Sequence, residues 1–221
     1  MDGFLFETHA HVSEVSPCGN MGAAQMVEVY RGQGYRGMIV TDHMHPHGLK
    51  RSNSQKWRKR AAYFLNGCRL ARAAAVGKGF TVLLGMEIRF LENDNDYLLY
   101  GVNEDFVERM EHLDAYPTLK SFRPVAEEHG LLLFQAHPFR KGMTVANPAL
   151  LDGMEIFNGN PNHNSSNDAA EFWANKYGLR PLSGSDYHGD AGTIFSGVYF
   201  EEDIQNERQL VEALRAGRYR L

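Results

Sequence analysis

Short, almost continuously apolar segments alternate along the chain with longer segments of helical periodicity, and this alternation restricts the fold more than any other feature. The predicted strands are Phe4–Thr8, Gly37–Thr41, Phe80–Met86, Tyr97–Val102, Leu131–Gln135, Gly153–Phe157, Arg180–Ser183 and Gly197–Phe200. The predicted helices are Ala23–Gln33, Gln55–Val76, Thr118–His129, Asp168–Tyr177 and Glu207–Ala216. Strands that are apolar on both faces are typical of parallel sheets covered by helices, so we predict an α/β fold with right-handed crossovers.

Length and composition bound the class of protein. The chain has 221 residues, 43% of them hydrophobic, and no linker-like segment divides it, so we expect one domain over residues 1–221. The formal net charge of −4 gives no argument for nucleic-acid or membrane binding. Two cysteines are too few for a disulfide scaffold, and no segment resembles a secretion signal or a membrane span. We therefore expect a cytoplasmic protein, and nothing in the composition predicts its oligomeric state.

Side chains that can bind metal recur where the predicted strands end. The motifs are His9-Ala10-His11, Thr41-Asp42-His43, Gly85-Met86-Glu87, Ala136-His137-Pro138 and Ser185-Asp186-Tyr187-His188. Imidazole nitrogen and carboxylate oxygen are ligands that divalent first-row metals take in proteins. Residues i and i+2 of a strand project from the same face, so His9 and His11 can reach one ion. Because five strands contribute such residues, the pattern favours a barrel over an open sheet with a single switch point.

Several of these side chains have a competing structural explanation. Asp42 could orient an imidazole without binding metal, and Arg89 could pair with Glu87 in an ordinary salt bridge. Arg140 follows His137 closely, and its guanidinium suits bidentate capture of phosphate, although an exposed arginine is an equal alternative. We interpret the other histidines outside the motifs as loop residues, His45 and His47, or as structural residues, His112 and His129.

Two further segments lie where a site rim is expected. Residues 155–164, Glu-Ile-Phe-Asn-Gly-Asn-Pro-Asn-His-Asn, follow a predicted strand and suggest polar lining that includes His163; an ordinary asparagine-rich turn is the alternative. Lys50, Arg51 and residues 56–60 form a basic run around Trp57. Such a run is usually a solvated helix face, and beside an active site it would steer an anionic substrate.

The order of the motifs, HxH, TDH, GxE, HP, EhxNG and SDxH, resembles that of the polymerase and histidinol phosphatase (PHP) superfamily from Glu7 to about His188. The resemblance implies a distorted (β/α)7 TIM-like barrel that holds two or three divalent ions, Zn, Fe or Mn. It implies that one ion is held by His9, His11, Glu87 and Asp186. Glu87 would bridge to a second ion, together with His137. A third ion would take His43 and His188.

The chain departs from the superfamily's commonest pattern at two places. The two histidines are followed by residues 12–19, Val-Ser-Glu-Val-Ser-Pro-Cys-Gly, and not by Ser-Asp-Gly or Cys-Pro-His-Gly. For the third ion we choose Glu14 as the remaining ligand, with Cys18 as the alternative. Many members give the second ion an extra histidine where this chain has Asn95-Asp96-Tyr97, so Asp96 is the candidate substitute.

The resemblance implies hydrolysis of a phosphate ester by a hydroxide that the metal ions activate. We expect a small phosphorylated substrate, a monoester similar to histidinol phosphate or another metabolite, and assign catalytic roles to Asp186, His188, Arg140 and His163. No inserted second domain is evident, which favours the monoester; a phosphodiesterase or nuclease and a phosphotyrosine phosphatase remain alternatives on the same site. A non-catalytic metal-binding interaction module is a further alternative, but nearly every expected ligand position keeps a residue that can bind metal.

Overall fold

The computed structural model describes residues 3–45, 49–110 and 116–221. Its helices are α1 Ala23–Gly32, α2 Trp57–Ala75, α3 Glu104–Arg109, α4 Leu119–Glu128, α5 Asn167–Tyr177 and α6 Glu207–Ala216. Its strands are β1 Phe4–Ala10, β2 Gly37–Val40, β3 His43–Met44, β4 Thr81–Leu84, β5 Met86–Arg89, β6 Asp96–Tyr100, β7 Leu132–Gln135, β8 Gly153–Asn158, β9 Arg180–Gly184, β10 Val198–Phe200 and β11 Tyr219–Arg220. The α/β class is confirmed. Across these ranges, every helix is too short or too polar to cross a bilayer.

The strands of the described ranges form two hydrogen-bonded sheets, in the orders β11-β10-β1-β2-β4 and β3-β5-β6-β7-β8-β9. The chain itself joins the sheets on one side, because only Gly85 separates β4 from β5. A Cβ on Gly85 would lie 2.8 Å from methyl carbons of both Ile39 and Thr41, so a side chain would force these strands apart. On the other side, Ala10 forms a parallel bridge with Tyr187, just after β9. The ends of β1 and β9 therefore meet.

Two strands run against the predicted parallel direction. β6 is antiparallel to both β5 and β7, and β10 is antiparallel to β1. The connection from β5 to β6 spans only residues 90–95, which is too short for the crossover that a parallel pair needs. All five residues of β6 are buried, so the sequence of this strand has the apolar character of a parallel one. The expectation of parallel strands is wrong at these two positions, because burial on both faces does not encode direction.

Local signals fix the ends of the helices. Asn103 and Asn206 accept hydrogen bonds from the backbone N–H groups of Phe106 and Gln209, at the starts of α3 and α6. Thr118 forms a capping box at the start of α4. Such caps satisfy backbone donors that have no partner inside the helix. The five predicted helices are confirmed to within two residues at each end.

Glu7 is a fully buried carboxylate in β1, two residues before His9. Its Oε1 accepts hydrogen bonds from the backbone N–H groups of Thr8, His9 and Ser185, at 2.9, 2.7 and 3.0 Å. Burial nevertheless dominates and raises the pKa of Glu7 to about 7. The residue therefore ties β1 to the segment after β9, at a free-energy cost that depends on pH.

Replacing Glu7 by glutamine is expected to raise the free energy of unfolding at about pH 8 and to change it little at about pH 5. Glutamine keeps an acceptor for the three N–H groups and carries no charge. A carboxyl group whose pKa is raised on folding binds more protons in the folded state, so wild-type stability falls as pH rises from 4.5 to about 7. The shift corresponds to about 3 kcal/mol. Urea unfolding at both pH values measures it, and parallel pH profiles for the two proteins would contradict it.

Candidate metal centre

Four buried side chains converge where β1, β5 and the segment after β9 meet: His9, His11, Glu87 and Asp186. The Nε2 atoms of both histidines lie 3.4 Å from a Glu87 oxygen and 3.4 Å from Asp186 Oδ1. These distances exceed the usual hydrogen-bond range. They match the edge of about 3.4 Å of a tetrahedron whose metal–ligand bonds are ~2.1 Å. Neither Nε2 atom has a hydrogen-bond partner among the described residues, so this donor set fits a divalent ion.

The far side of each imidazole is held by a second layer of polar groups. His9 Nδ1 lies 2.9 Å from Oε1 of Glu155, in β8. His11 Nδ1 lies 3.3 Å from Ser16 Oγ, which donates a 2.7 Å hydrogen bond to Asp42 Oδ1. Holding Nδ1 leaves Nε2 directed at the centre. Asp42 thus acts on His11 through Ser16, in keeping with the orienting alternative, and Glu155 orients His9, a role that its motif did not predict.

The carboxylate of Glu87 faces histidines on both sides. Its Oε1 lies 3.2 Å from Nε2 of His137, at the end of β7, and also faces His9. Its Oε2 faces His11 and lies 2.7 Å from Nδ1 of His43. A carboxylate whose two oxygens face different sets of histidine nitrogens is suited to bridge two ions. The bridging role that the resemblance implied for Glu87 is compatible with this arrangement.

Asp96 lies at the second group of ligands but is engaged elsewhere. Its Oδ2 lies 4.0 Å from His137 Nε2, and Glu87, Asp96 and His137 together can surround an ion. Its two oxygens each accept a 2.7 Å hydrogen bond from the guanidinium of Arg89, and Arg140 lies 3.5 Å away. Arg89 is therefore the partner of Asp96 and not of Glu87. An arginine paired with this carboxylate weakens its attraction for a second cation.

A third group of ligands lies on the opposite side of Glu87. Ligand atoms of His11, His43 and His188 all lie within 4.8 Å of one another. Cys18 Sγ lies 3.1 Å from His43 Nε2. Burial alone would raise the pKa of the Cys18 thiol, but hydrogen bonds with His188 and His43 lower it to about 6.

Glu14, the residue chosen from the sequence for this group, is directed elsewhere. Both of its oxygens lie 3.0 Å from the backbone N–H of Ala23, at the first turn of α1. A carboxylate is well placed there, because it satisfies a free N–H and complements the helix dipole. Among the described residues that line the cavity at the centre, Cys18 is present and Glu14 is not.

The candidate metal ligands open onto a polar cavity of about 320 Å³. Arg89, Arg140 and His163 line it, together with Asn160 and Asn162 from the asparagine-rich segment. The rim therefore offers guanidinium, imidazole and amide donors beside the buried carboxylates. His45 also lines the cavity, His129 packs against the ring of Phe106, and His47 and His112 lie outside the described residues.

The loop after β9 is held by a network around Asp186. His163 Nε2 lies 3.4 Å from Asp186 Oδ2, and Asn158 and Asn160 donate to the same oxygen at 3.2 and 3.3 Å. The backbone of Asp186 has φ +48°, and that of His137 has φ +28°. Left-handed conformations are unfavourable for residues other than glycine and persist where surrounding contacts impose them, often at functional sites.

Burial and charge set the protonation of the metal-free cluster. Burial opposes charge on His9, but surrounding carboxylates, chiefly Asp186, outweigh it and hold the pKa of His9 well above its ordinary value. Burial also lowers the pKa of His43, but the nearby carboxylate of Glu87 outweighs this effect and raises the pKa well above its ordinary value. The pKa of His11 is lowered well below its ordinary value by burial and by His43. A metal ion must therefore displace protons from His9 and His43 to bind.

The fold and these side chains define an α/β protein built around a candidate multi-metal centre. Solved structures with this fold include a two-domain protein from Bacteroides vulgatus containing a predicted PHP-like metal-dependent phosphoesterase, with 18% identity and TM-score 0.65 over 98% of this chain. This chain covers 63% of that protein. A candidate metal-dependent phosphoesterase from Bifidobacterium adolescentis has 16% sequence identity to this chain and a TM-score of 0.57, over 95% of both chains. An amidohydrolase from Chromobacterium violaceum, with bound sulfate and no metal, has 13% sequence identity and a TM-score of 0.58, over 95% of this chain and 96% of the other.

The sequence itself carries a family signature in its last part. Residues 164–219 match the profile of a family described as PHP-associated. No curated protein matches the chain. The identities to the solved structures are low and establish the shared fold alone. The profile match thus applies to residues 164–219, and the structural comparisons establish the fold of the chain.

Proposed function

We propose that the chain is a metal-dependent phosphoesterase, a hydrolase that acts on a small phosphomonoester. The observation that carries the proposal is the array of His9, His11, Glu87 and Asp186, with its four 3.4 Å contacts and its unpartnered imidazole nitrogens. Beside it, Arg140 and His163 line the same cavity. Guanidinium and imidazole donors next to a cationic centre suit a phosphate group.

In the proposed mechanism, bound ions supply Lewis acidity that lowers the pKa of a water molecule and neutralises phosphate charge. The residues of the chain position the reactants. Glu155 and Ser16 keep both imidazoles oriented, so that their Nε2 atoms stay available as ligands. Arg140 and His163 orient the non-bridging oxygens of the phosphate. Asp186 and His188 would help to hold the ions.

The ligand sets are also proposals. His9, His11, Glu87 and Asp186 would hold one ion; Glu87 and His137 a second; and His43 and His188 a third. Asp96 would contribute only weakly to the second site, because Arg89 already pairs with both of its oxygens. His and carboxylate ligands accept Zn, Fe and Mn, and we expect the ions to come from this group.

We also infer that the two sheets make one distorted (β/α)7 barrel. Its order would be β1, β2, β4 with β5 as one bent strand, β6, β7, β8 and β9, closed by the bridge between Ala10 and Tyr187. A shared buried cluster that takes residues from both sheets supports the inference: Phe6, Ile39, Leu83, Leu98, Phe134 and Leu182. A common core is expected inside a barrel.

Phosphate release from a panel of phosphomonoesters, after loading with Mn, Zn or Fe(II), tests the proposed function. We expect metal-dependent turnover in the wild type and a loss on the order of 10³-fold in Asp186→Asn, which keeps the size of the side chain and removes its charge. Asp168→Asn, an exposed position in the first turn of α5, is the matched control and should retain turnover. Undiminished activity in Asp186→Asn would contradict the proposal. Turnover of a diester alone would replace the phosphatase by a phosphodiesterase.

A further inference from the structure

Three polar side chains that the proposed mechanism does not use form a bridge in the lining of the cavity. Asn20 follows β1, Asn162 follows β8 and Asp190 follows β9, and all three line the cavity. Asn20 Nδ2 donates to Oδ1 of Asp190 at 3.0 Å, and Asn162 Nδ2 donates to Oδ2 at 2.8 Å. The Thr193 hydroxyl donates to the backbone carbonyl of Asp190 at 3.0 Å. These contacts hold the three side chains, called here the acceptor bridge, in one arrangement across three loops.

The hydrogen bonds inside the acceptor bridge decide what it offers to a ligand. An ionised carboxylate can only accept, so both amides must turn their NH₂ groups towards Asp190. Their oxygens are then directed away from Asp190, and across the described ranges neither amide oxygen of Asn20 and Asn162 accepts a hydrogen bond. Each oxygen of Asp190 also keeps a second lone pair. The acceptor bridge therefore presents mainly acceptors, a negative charge and the remaining N–H of each amide.

The opposite chemistry lines another part of the same cavity. Arg89 and Arg140 also line it, and their guanidinium groups lie 2.7 and 3.5 Å from Oδ2 of Asp96. These arginines belong to β5 and to the loop after β7, on either side of β6, whereas the acceptor bridge is built on the loops after β8, β9 and β1. Guanidinium groups suit phosphate oxygens. A phosphate bound beside the arginines therefore leaves the acceptor bridge to the alcohol part of an ester.

We propose that Asn20, Asp190 and Asn162 determine substrate specificity, and that the substrate is the phosphomonoester of a polyol or sugar. The inference rests on the phosphomonoesterase of the proposed function and names its substrate class. Hydroxyl groups both donate and accept, so they can satisfy the acceptors of the bridge and the remaining amide N–H groups together. An ammonium group only donates and leaves those N–H groups without an acceptor. An apolar chain displaces water from every polar atom of the bridge and pairs with none, which is costly.

Three monoesters with the same six-carbon chain test the assignment: a hexitol phosphate, hexyl phosphate and 6-aminohexyl phosphate. For the metal-loaded wild type we expect kcat/KM to favour the hexitol ester over the hexyl ester on the order of 100-fold, and over the amino ester about tenfold. Asp190→Asn should lower the hexitol-to-hexyl ratio about tenfold, and the control Asp168→Asn, at an exposed position of α5, should keep it. A purely structural Asp190 would lower turnover of all three esters alike. An unchanged ratio in Asp190→Asn, or a preference for the amino ester, overturns the assignment.

A binding measurement separates this inference from the proposed function. Phosphonates of the hexitol and hexyl series, in which carbon replaces the bridging oxygen, bind without being hydrolysed. Calorimetry with the zinc-loaded protein should show tighter binding of the hexitol phosphonate, and Asp190→Asn should reduce the difference about tenfold. Equal affinities overturn the polyol assignment, and turnover of phosphate esters without a hexitol preference does the same while keeping the phosphoesterase. Tighter hexitol binding without turnover of any ester supports the acceptor bridge and rejects the phosphoesterase.

Discussion

Replacing Glu87 by glutamine is expected to abolish metal-dependent turnover, with a loss on the order of 10³-fold or more, equal to about 4 kcal/mol of transition-state stabilisation. One oxygen of Glu87 faces His9 and His137, and the other faces His11 and His43. An amide keeps one acceptor and turns an NH₂ group towards nitrogens that must be free to bind metal. On the proposed assignment, the substitution removes the carboxylate that would bridge the ligand sets and adds a donor where a cation would bind.

Two matched substitutions show whether this effect belongs to the bridging position. Glu155→Gln keeps an acceptor for His9 Nδ1 and should lower metal affinity by only about 10–100-fold, as is usual for groups that orient a ligand. Glu128→Gln, at the exposed end of α4, should leave turnover and metal content unchanged. Steady-state kinetics and metal analysis of the three variants measure the series. Equal losses in Glu87→Gln and Glu155→Gln would contradict a special role for Glu87.

Removing the metal ions is expected to lower the melting temperature by about 10 °C. Without ions, the buried imidazoles and carboxylates of the centre remain without hydrogen-bond partners at several atoms. An ion present at about a thousand times its dissociation constant stabilises the folded state by about 4 kcal/mol. For a domain of about this length, each kcal/mol corresponds to about 2–4 °C. Calorimetry of the chelated and reloaded protein measures the difference.

The size of this metal effect should increase as pH rises. In the metal-free protein the pKa values of His9 and His43 are raised, so their ion pairs stabilise the fold at low pH and are lost as pH rises through the raised values. The same protons compete with metal for the ligands. Melting curves at about pH 6 and about pH 8 should show the larger metal-induced increase at the higher value, and Asp186→Asn should show a smaller increase at both. A metal-induced increase independent of pH would contradict the assigned ligands.

Much of the fold is predictable because its signals are local. Helix α6 starts and ends where its periodicity predicts, with Asn206 as cap and Gly217 in a left-handed conformation at its end. The short helix α3 and the two-residue strands β3 and β11 were missed, because so few residues cannot express a period. The bend at Gly85 was also missed. It depends on a close approach to β2 that no local pattern records.

Some features of the candidate site follow from short sequence motifs, and others depend on contacts between distant parts of the chain. The positions of His9, His11, Glu87, His137 and Asp186 at strand ends follow from short motifs. The partner of Asp96 does not, because Arg89 stands directly opposite it only when β6 runs antiparallel to β5. Whether Glu14 or Cys18 faces the cavity depends on the path of residues 12–21, which long-range backbone hydrogen bonds determine. The motifs therefore predict which side chains meet at the candidate centre, whereas the contacts around them depend on long-range packing.

The meeting of β1 with the segment after β9 has a consequence for biosynthesis. His9 is synthesised before Asp186, which faces it across the centre and follows only after β2 to β9 have been made. Proteins are synthesised from the N-terminus, so a nascent chain exposes His9 and His11 long before their carboxylate partners exist. On the proposed ligand assignment, an ion can therefore meet all four ligands only after β9 and the segment that follows it have been translated.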